Sequence, residues 1–157
     1  MIKKIYLLCG CPGSGKSTYA KAHIDDKSAW ISRDKIRFSM VSEDEEYFSK
    51  EKEVFNAFIK EIKKAIMNDL IENIYIDATH INEASRNNLL DKILWSVRDE
   101  LNVIYFDTPL DICLKRNSNR SGRERVPDSV ITRMFKSSRI PTNNEKYKYK
   151  NIIVINE

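Results

Sequence analysis

The stretch Gly10-Cys11-Pro12-Gly13-Ser14-Gly15-Lys16-Ser17, entered from the continuous apolar run Ile5 to Cys9, constrains this chain more than any other. A short run that is apolar at every position reads as a strand buried on both faces, as in a parallel sheet. Glycines at 10, 13 and 15 let the backbone turn tightly and aim its amide hydrogens inward. The helix expected from Gly15 and Lys16 onward points its positive end at the same spot. The spacing G-x-x-x-x-G-K-[ST] between strand and helix is the signature of a phosphate cradle. Gly13, Ser14, Gly15 and Thr18 are then expected to line a nucleotide's phosphates. Lys16 reaches the terminal phosphates, and Ser17 offers its hydroxyl to magnesium. ATP and Mg2+ are the expected cofactors.

The rest of the chain alternates strands with helices. Ala29 to Ser32, Asn73 to Asp77, Val103 to Phe106 and Ile152 to Ile155 are short apolar runs of strand length. Val54, Phe55, Phe58, Ile59, Ile62, Ile66 and Leu70 recur at three and four residues, which predicts one long crossover helix from about Asp44 to Asn73. Leu89, Leu90, Ile93, Leu94 and Val97 mark another helix. Thr108-Pro109 offers a capping hydroxyl and a proline at the first helical position. Pro127-Asp128 opens a further helix with Val130, Ile131, Met134 and Phe135 on one side. Such alternation requires parallel pairing and right-handed crossovers, with ligands bound outside the carboxyl ends of the strands. The expected fold is α/β: a three-layer P-loop NTPase fold with a parallel five-stranded sheet flanked by helices. The polar stretch Thr142 to Lys150 reads as a mobile loop.

A length of 157 residues suits one domain spanning 1–157. The net charge of +4 hints at an anionic partner without demanding one. Cys9, Cys11 and Cys113 are odd in number and badly spaced for a disulfide framework, which points to a reducing cytoplasm. His23 and His80 lie in different segments, so no zinc spacing arises. No apolar run has the length needed to cross a bilayer, and no obligatory protein partner is evident. Cys11, on the loop itself, would respond to thiol alkylation if its side chain were exposed.

Three further groups carry chemistry. Asp77 ends a buried strand, where a carboxylate holds magnesium through its water shell or fixes the Ser17 hydroxyl. Asp34 and Arg37 are three apart at a helix start, which places them on one face. A carboxylate there suits an alcohol acceptor, whose proton it can take, and a guanidinium beside it suits an anionic group on that acceptor. Arg116, Arg120, Arg123 and Arg125 surround Ser121-Gly122 as an arginine-bearing lid, from which Arg116 or Arg120 would offset charge on a transferred phosphoryl group.

These segments resemble the kinase domain of the polynucleotide 5′-hydroxyl kinase family. The resemblance rests on Gly10 to Thr18, on Ser32-Arg33-Asp34 with Arg37, on Asp77-Ala78-Thr79 with Arg86, and on Lys115 to Arg120 leading to Val126-Pro127. It implies an ATP-dependent kinase acting on the 5′-hydroxyl end of DNA or RNA. Asp34 would be the general base, Arg37 would hold a nucleic-acid phosphate, and Arg120, supported by Arg116, would touch ATP from the lid. Thr79 and Arg86 would lie on the acceptor side. The family often has asparagine where this chain has His80, and the phosphatase domain attached to some members has no counterpart here. Two other readings stay open: a small-molecule kinase, and an ATP-hydrolysing switch or motor module.

Overall fold

The computed structural model describes residues 2–93 and 99–156. Five strands form one parallel sheet: β1 (Lys4–Cys9), β2 (Ser28–Ser32), β3 (Asn73–Asp77), β4 (Glu100–Asp107) and β5 (Asn151–Asn156). Their order across the sheet is β2-β3-β1-β4-β5. From β1 the chain crosses to the edge strand β2 and then works back through β3 to β4 and β5, so the connections leaving the neighbours β1 and β3 run to opposite sides of the sheet. That switch point is where a crevice opens beyond the strand ends. The loop leaving β1 therefore sits at its centre.

Among the described residues six α-helices connect the strands: α1 (Lys16–His23), α2 (Arg33–Met40), α3 (Glu51–Met67), α4 (Glu83–Ile93), α5 (Leu110–Ser118) and α6 (Asp128–Ser137). Side chains alternate along each strand, so the sheet buries two faces. One face carries Ile5, Leu7, Ile74, Ile76 and Val103 against Phe58, Ile59 and Ile62 of α3 and Leu89, Leu90 and Ile93 of α4. The other carries Leu8, Tyr75, Ile104 and Phe106 against Tyr19 and Ala20 of α1. A third cluster joins Cys11 of the loop to Cys113 of α5 and Ile131 of α6. These are the three layers that the alternation predicts.

Several local expectations are corrected. The stripe from Asp44 to Asn73 is not one helix: α3 begins at Glu51 and ends at Met67, leaving Leu70 exposed. Ser42 accounts for part of the break, because its N–H and hydroxyl both donate to Glu45 and hold a turn. The acidic pair Glu51 and Glu53 then suits the first turn of a new helix. The Thr108 hydroxyl does not cap α5; it donates to the Ser14 carbonyl at 3.0 Å and ties that helix to the loop. Phe135 lies on the outer side of α6, 36% exposed, rather than with Val130, Ile131 and Met134. Thr142 to Lys150 is anchored through Glu145 and Tyr149, both buried. The expected helical positions Leu94 and Val97 lie outside the described residues.

Candidate active site

The loop between β1 and α1 is built by backbone conformation. Gly15 takes φ 108° as it caps α1, and Gly13 takes φ 84°. At Gly13 a Cβ would also stand 3.0 Å from the Cys113 carbonyl oxygen, so both torsion and space require glycine. The Lys16 ammonium, buried, donates to the carbonyls of Gly10 at 2.9 Å and Cys11 at 3.0 Å, at the centre of the turn. The N–H of Gly10 donates to the Thr79 carbonyl at 2.8 Å, which fixes the loop against the segment after β3.

A cavity of about 360 Å³ opens over this loop. Gly13, Gly15, Lys16, Ser17 and Thr18 line it from below, Asp77 and Asp34 from one side, and Arg116 and Arg120 from the lid. Arg116 donates to the Gly13 carbonyl at 3.1 Å. Ser14 is buried within the loop, 1% exposed, rather than on the cavity wall. Arg123 and Arg125 do not join Arg116 and Arg120 on this cavity: Arg123 donates to the Val41 carbonyl at the end of α2 and stacks 5.0 Å from the Phe38 ring. The lid is thereby tied to the opposite wall.

Ser17 donates its hydroxyl to Asp77 Oδ2 at 2.9 Å, and the Trp30 indole N–H donates to the same oxygen at 3.0 Å. Asp77 is 5% exposed, and both of these donors are neutral. A buried carboxylate satisfied by neutral donors beside a phosphate cradle fits a divalent cation. Among the described residues no cluster of three or more His, Cys, Asp or Glu side chains could cage a metal. One hydroxyl and one carboxylate are the donor set Mg2+ takes when phosphates and water supply the rest.

A second cavity, of about 170 Å³, is lined by Arg33, Asp34, Arg37, Tyr47, Phe48, Glu51 and Thr79. It shares Pro12, Lys16, Asp34 and Asp77 with the first, so the two spaces meet at the lysine and the two carboxylates. Asp34 is held at the start of α2, whose cap is the Ser32 hydroxyl accepting from Lys35 N at 3.3 Å. Its side chain is 53% exposed. The Tyr47 hydroxyl donates to Asp34 Oδ1 at 2.6 Å, and Arg37 donates to the same oxygen. Burial, then the Asp34 charge, push the Tyr47 hydroxyl above its usual range and keep it a donor. Asp34 Oδ1 is thus held by two donors on one side, while Oδ2 has neither.

Two expected acceptor contacts are corrected. Arg37 is buried, and its fork is already filled: Nε and Nη2 grip Glu51 at 2.7 and 3.0 Å, while Nη1 serves Asp34 and Tyr47. It orients Asp34 rather than offering an open face to a phosphate. Arg86 is 0% exposed and pairs in parallel with Glu145 at 3.0 and 2.8 Å. Its remaining donors reach the carbonyls of His80 and Arg139, so it braces the segment behind the site. Cys11 is also buried, with its thiol pushed up by that burial, and is not a reactive surface thiol.

Tyr47, Glu51 and Trp30 are the functional candidates that sequence reasoning did not single out. Their only sequence signal is weak: two adjacent aromatics, Tyr47 and Phe48, inside a polar acidic stretch, and a tryptophan two residues before a polar strand end.

Parallel order β2-β3-β1-β4-β5, a glycine-built loop at the switch point and facing carboxylates define a P-loop kinase domain. The chain belongs to the AAA_33 family, an AAA domain, whose model matches residues 5–141. It is 29% identical over 150 residues to the L-seryl-tRNA(Sec) kinase of Methanococcus maripaludis, across 92% of this chain and 55% of that protein. Its structure resembles a chain of the Pnkp1/Rnl/Hen1 RNA repair complex, with TM-score 0.70, 24% identity, and coverage of 87% of this chain and 44% of that one. A fungal RNA kinase gives TM-score 0.69 at 15% identity, covering 99% of this chain and 74% of its own. At these identities the two structures share the fold. The chain spans about half the length of the curated relative it matches, at 55%. Among the described residues no helix is long and apolar enough to cross a membrane.

Proposed function

We propose that this chain, with residues 1–157 acting as one kinase unit, transfers the γ-phosphoryl group of ATP to a hydroxyl, and that its acceptor is the 5′-hydroxyl end of DNA or RNA. The observation that carries this reading is the meeting of the two cavities at Lys16, Asp34 and Asp77. A carboxylate between a phosphate site and an acceptor site serves an alcohol, because an oxyanion acceptor has no proton to give up.

The larger cavity takes the triphosphate, with loop amides and Lys16 on its phosphates and Arg116 and Arg120 above. Magnesium, when bound, would offset charge on the β- and γ-phosphates, with Ser17 and Asp77 as its protein partners. The acceptor oxygen, in the smaller cavity, attacks the γ-phosphorus as its proton passes to Asp34. The bond from that phosphorus to the bridging oxygen breaks, and ADP leaves with the electron pair.

Two features support a chain end over a compact metabolite. The acceptor cavity, about 170 Å³, is smaller than the roughly 300 Å³ at which enclosed small-molecule sites begin, which suits an acceptor that inserts its end alone. Its charged lining balances Lys16, Arg33 and Arg37 against Asp34, Glu51 and Asp77. A balanced lining suits a neutral hydroxyl terminus. The Methanococcus maripaludis relative, a kinase of L-seryl-tRNA(Sec), also has an RNA-linked acceptor by its name.

Terminally labelled ATP with 5′-hydroxyl RNA and DNA oligonucleotides, nucleosides and sugars tests this. Label is expected on the oligonucleotides. Transfer only to the small molecules, or ATP hydrolysis indifferent to every acceptor, overturns it.

A further inference from the structure

Strand alternation places Trp30, Ser32, Tyr75 and Asp77 on the α1 side of the sheet, with Trp30 paired to Tyr75 and Ser32 to Asp77. Trp30 thus stands one pleat below Asp77, and its indole is long enough to reach it. A partly buried tryptophan normally finds a carbonyl or water for its N–H. Here the partner is Asp77 Oδ2, at 3.0 Å, the oxygen that also accepts from Ser17. Lys35 Nζ lies 3.7 Å from the ring centroid and Lys21 Nζ 5.9 Å, from α2 and α1. Cations over the ring draw π density toward them and leave the N–H a stronger donor.

We propose that Trp30 is a positioning residue for the metal–nucleotide site: its N–H fixes the Asp77 carboxylate so that Oδ1 faces the phosphate cavity and the magnesium shell. This rests on the reading of Ser17 and Asp77 as the metal's protein partners. Two donors on one carboxylate oxygen stop the group rotating about its Cβ–Cγ bond. Removing one frees that rotation, and the geometry a small octahedral cation demands is lost. Because Lys35 is the neighbour of Asp34 on α2, the same ring joins the metal carboxylate to the helix that carries the base.

The test is calorimetry on the full chain with a non-hydrolysable imido analogue of ATP, in EDTA and in magnesium. Trp30→Phe keeps the ring and deletes the donor. It is expected to reduce the magnesium-dependent gain in affinity about tenfold. Affinity in EDTA stays within about twofold, since loop contacts to phosphate are untouched. In an Asp77→Asn background the same change is expected to add nothing further, an outcome a purely packing role does not produce. Equal loss with and without magnesium, or an unchanged magnesium gain, overturns the proposal. No magnesium-dependent gain in the wild-type chain sinks instead the reading on which it rests. Should Trp30→Phe not fold, the chain has two tryptophans, and Trp95→Phe leaves one indole N–H signal. That signal is expected to move when magnesium and analogue are added together and stay put with analogue alone. Equal movement in both arms overturns the proposal.

Discussion

The nucleotide half and the acceptor half of the site meet at shared residues, yet they are built by different means. The nucleotide half is backbone: consecutive residues from Gly10 to Thr18, three positive-φ glycines and the start of α1. The acceptor half is side chain. Asp34 and Arg37 come from α2, Tyr47 from the turns after it, and Glu51 from the start of α3. A cradle made of main-chain groups tolerates changes of side chain at most positions, whereas a network of four side chains fails or shifts with any one of them. Acceptor choice is therefore the adjustable half, and phosphate binding the fixed one.

The sharpest way to break that contrast is at two of the shared residues, Lys16 and Asp34. Lys16→Ala removes the ammonium at the centre of the cradle, and transfer is expected to fall about a thousandfold with any acceptor. Near-normal turnover would mean that the loop is not the catalytic phosphate site. Asp34→Ala is expected to reduce transfer about a hundredfold or more while nucleotide affinity, followed by calorimetry, persists. Equal loss of both would merge the two halves into one.

Glu51→Gln probes the acceptor half alone. Glu51 neutralises Arg37 and also receives Arg33 at 3.1 Å, so its removal leaves two guanidiniums competing for Asp34. Acceptor KM is expected to change about tenfold, with ATP KM unchanged. A change in ATP KM of the same size would show that α2 and the loop act as one unit.

The same division explains what could be read from sequence. Strand ends, the loop and the carboxylates Asp34 and Asp77 were legible because burial periodicity and local spacing specify them. An acceptor-side role for Arg86 is implied by family resemblance alone; its partner in the structure, Glu145, is 59 residues away and carries no local signal. Arg37 meets Asp34, its neighbour by local spacing, but its pairing with Glu51 depends on the turns between α2 and α3, among them the one Ser42 holds, which no local spacing specifies. Thr108 has the composition of a cap and the contact of a loop tether, a distinction only tertiary packing makes.

The last expected effect is on stability and leaves transfer unchanged; it concerns the brace behind both halves. His80 is buried at φ 41°, its Nδ1 donating to the Leu8 carbonyl at 3.1 Å, and burial pushes its pKa down to about 3. The unfolded imidazole binds a proton near pH 6.5, whereas the folded one stays neutral until about 3. Acidification through that window therefore favours the unfolded chain, and the stabilising contribution, complete above pH 6.5, is lost as pH falls. The slope from this one group is at most about 1.4 kcal/mol per pH unit. Asparagine accepts a left-handed backbone without a titrating ring, so His80→Asn is the matched variant. Urea unfolding of both proteins from pH 7 to 5 is expected to show wild type losing about 2 kcal/mol more than the variant. Parallel curves would mean that His80 opens to water, and that the junction between the loop and the segment after β3 is not the rigid brace on which both halves stand.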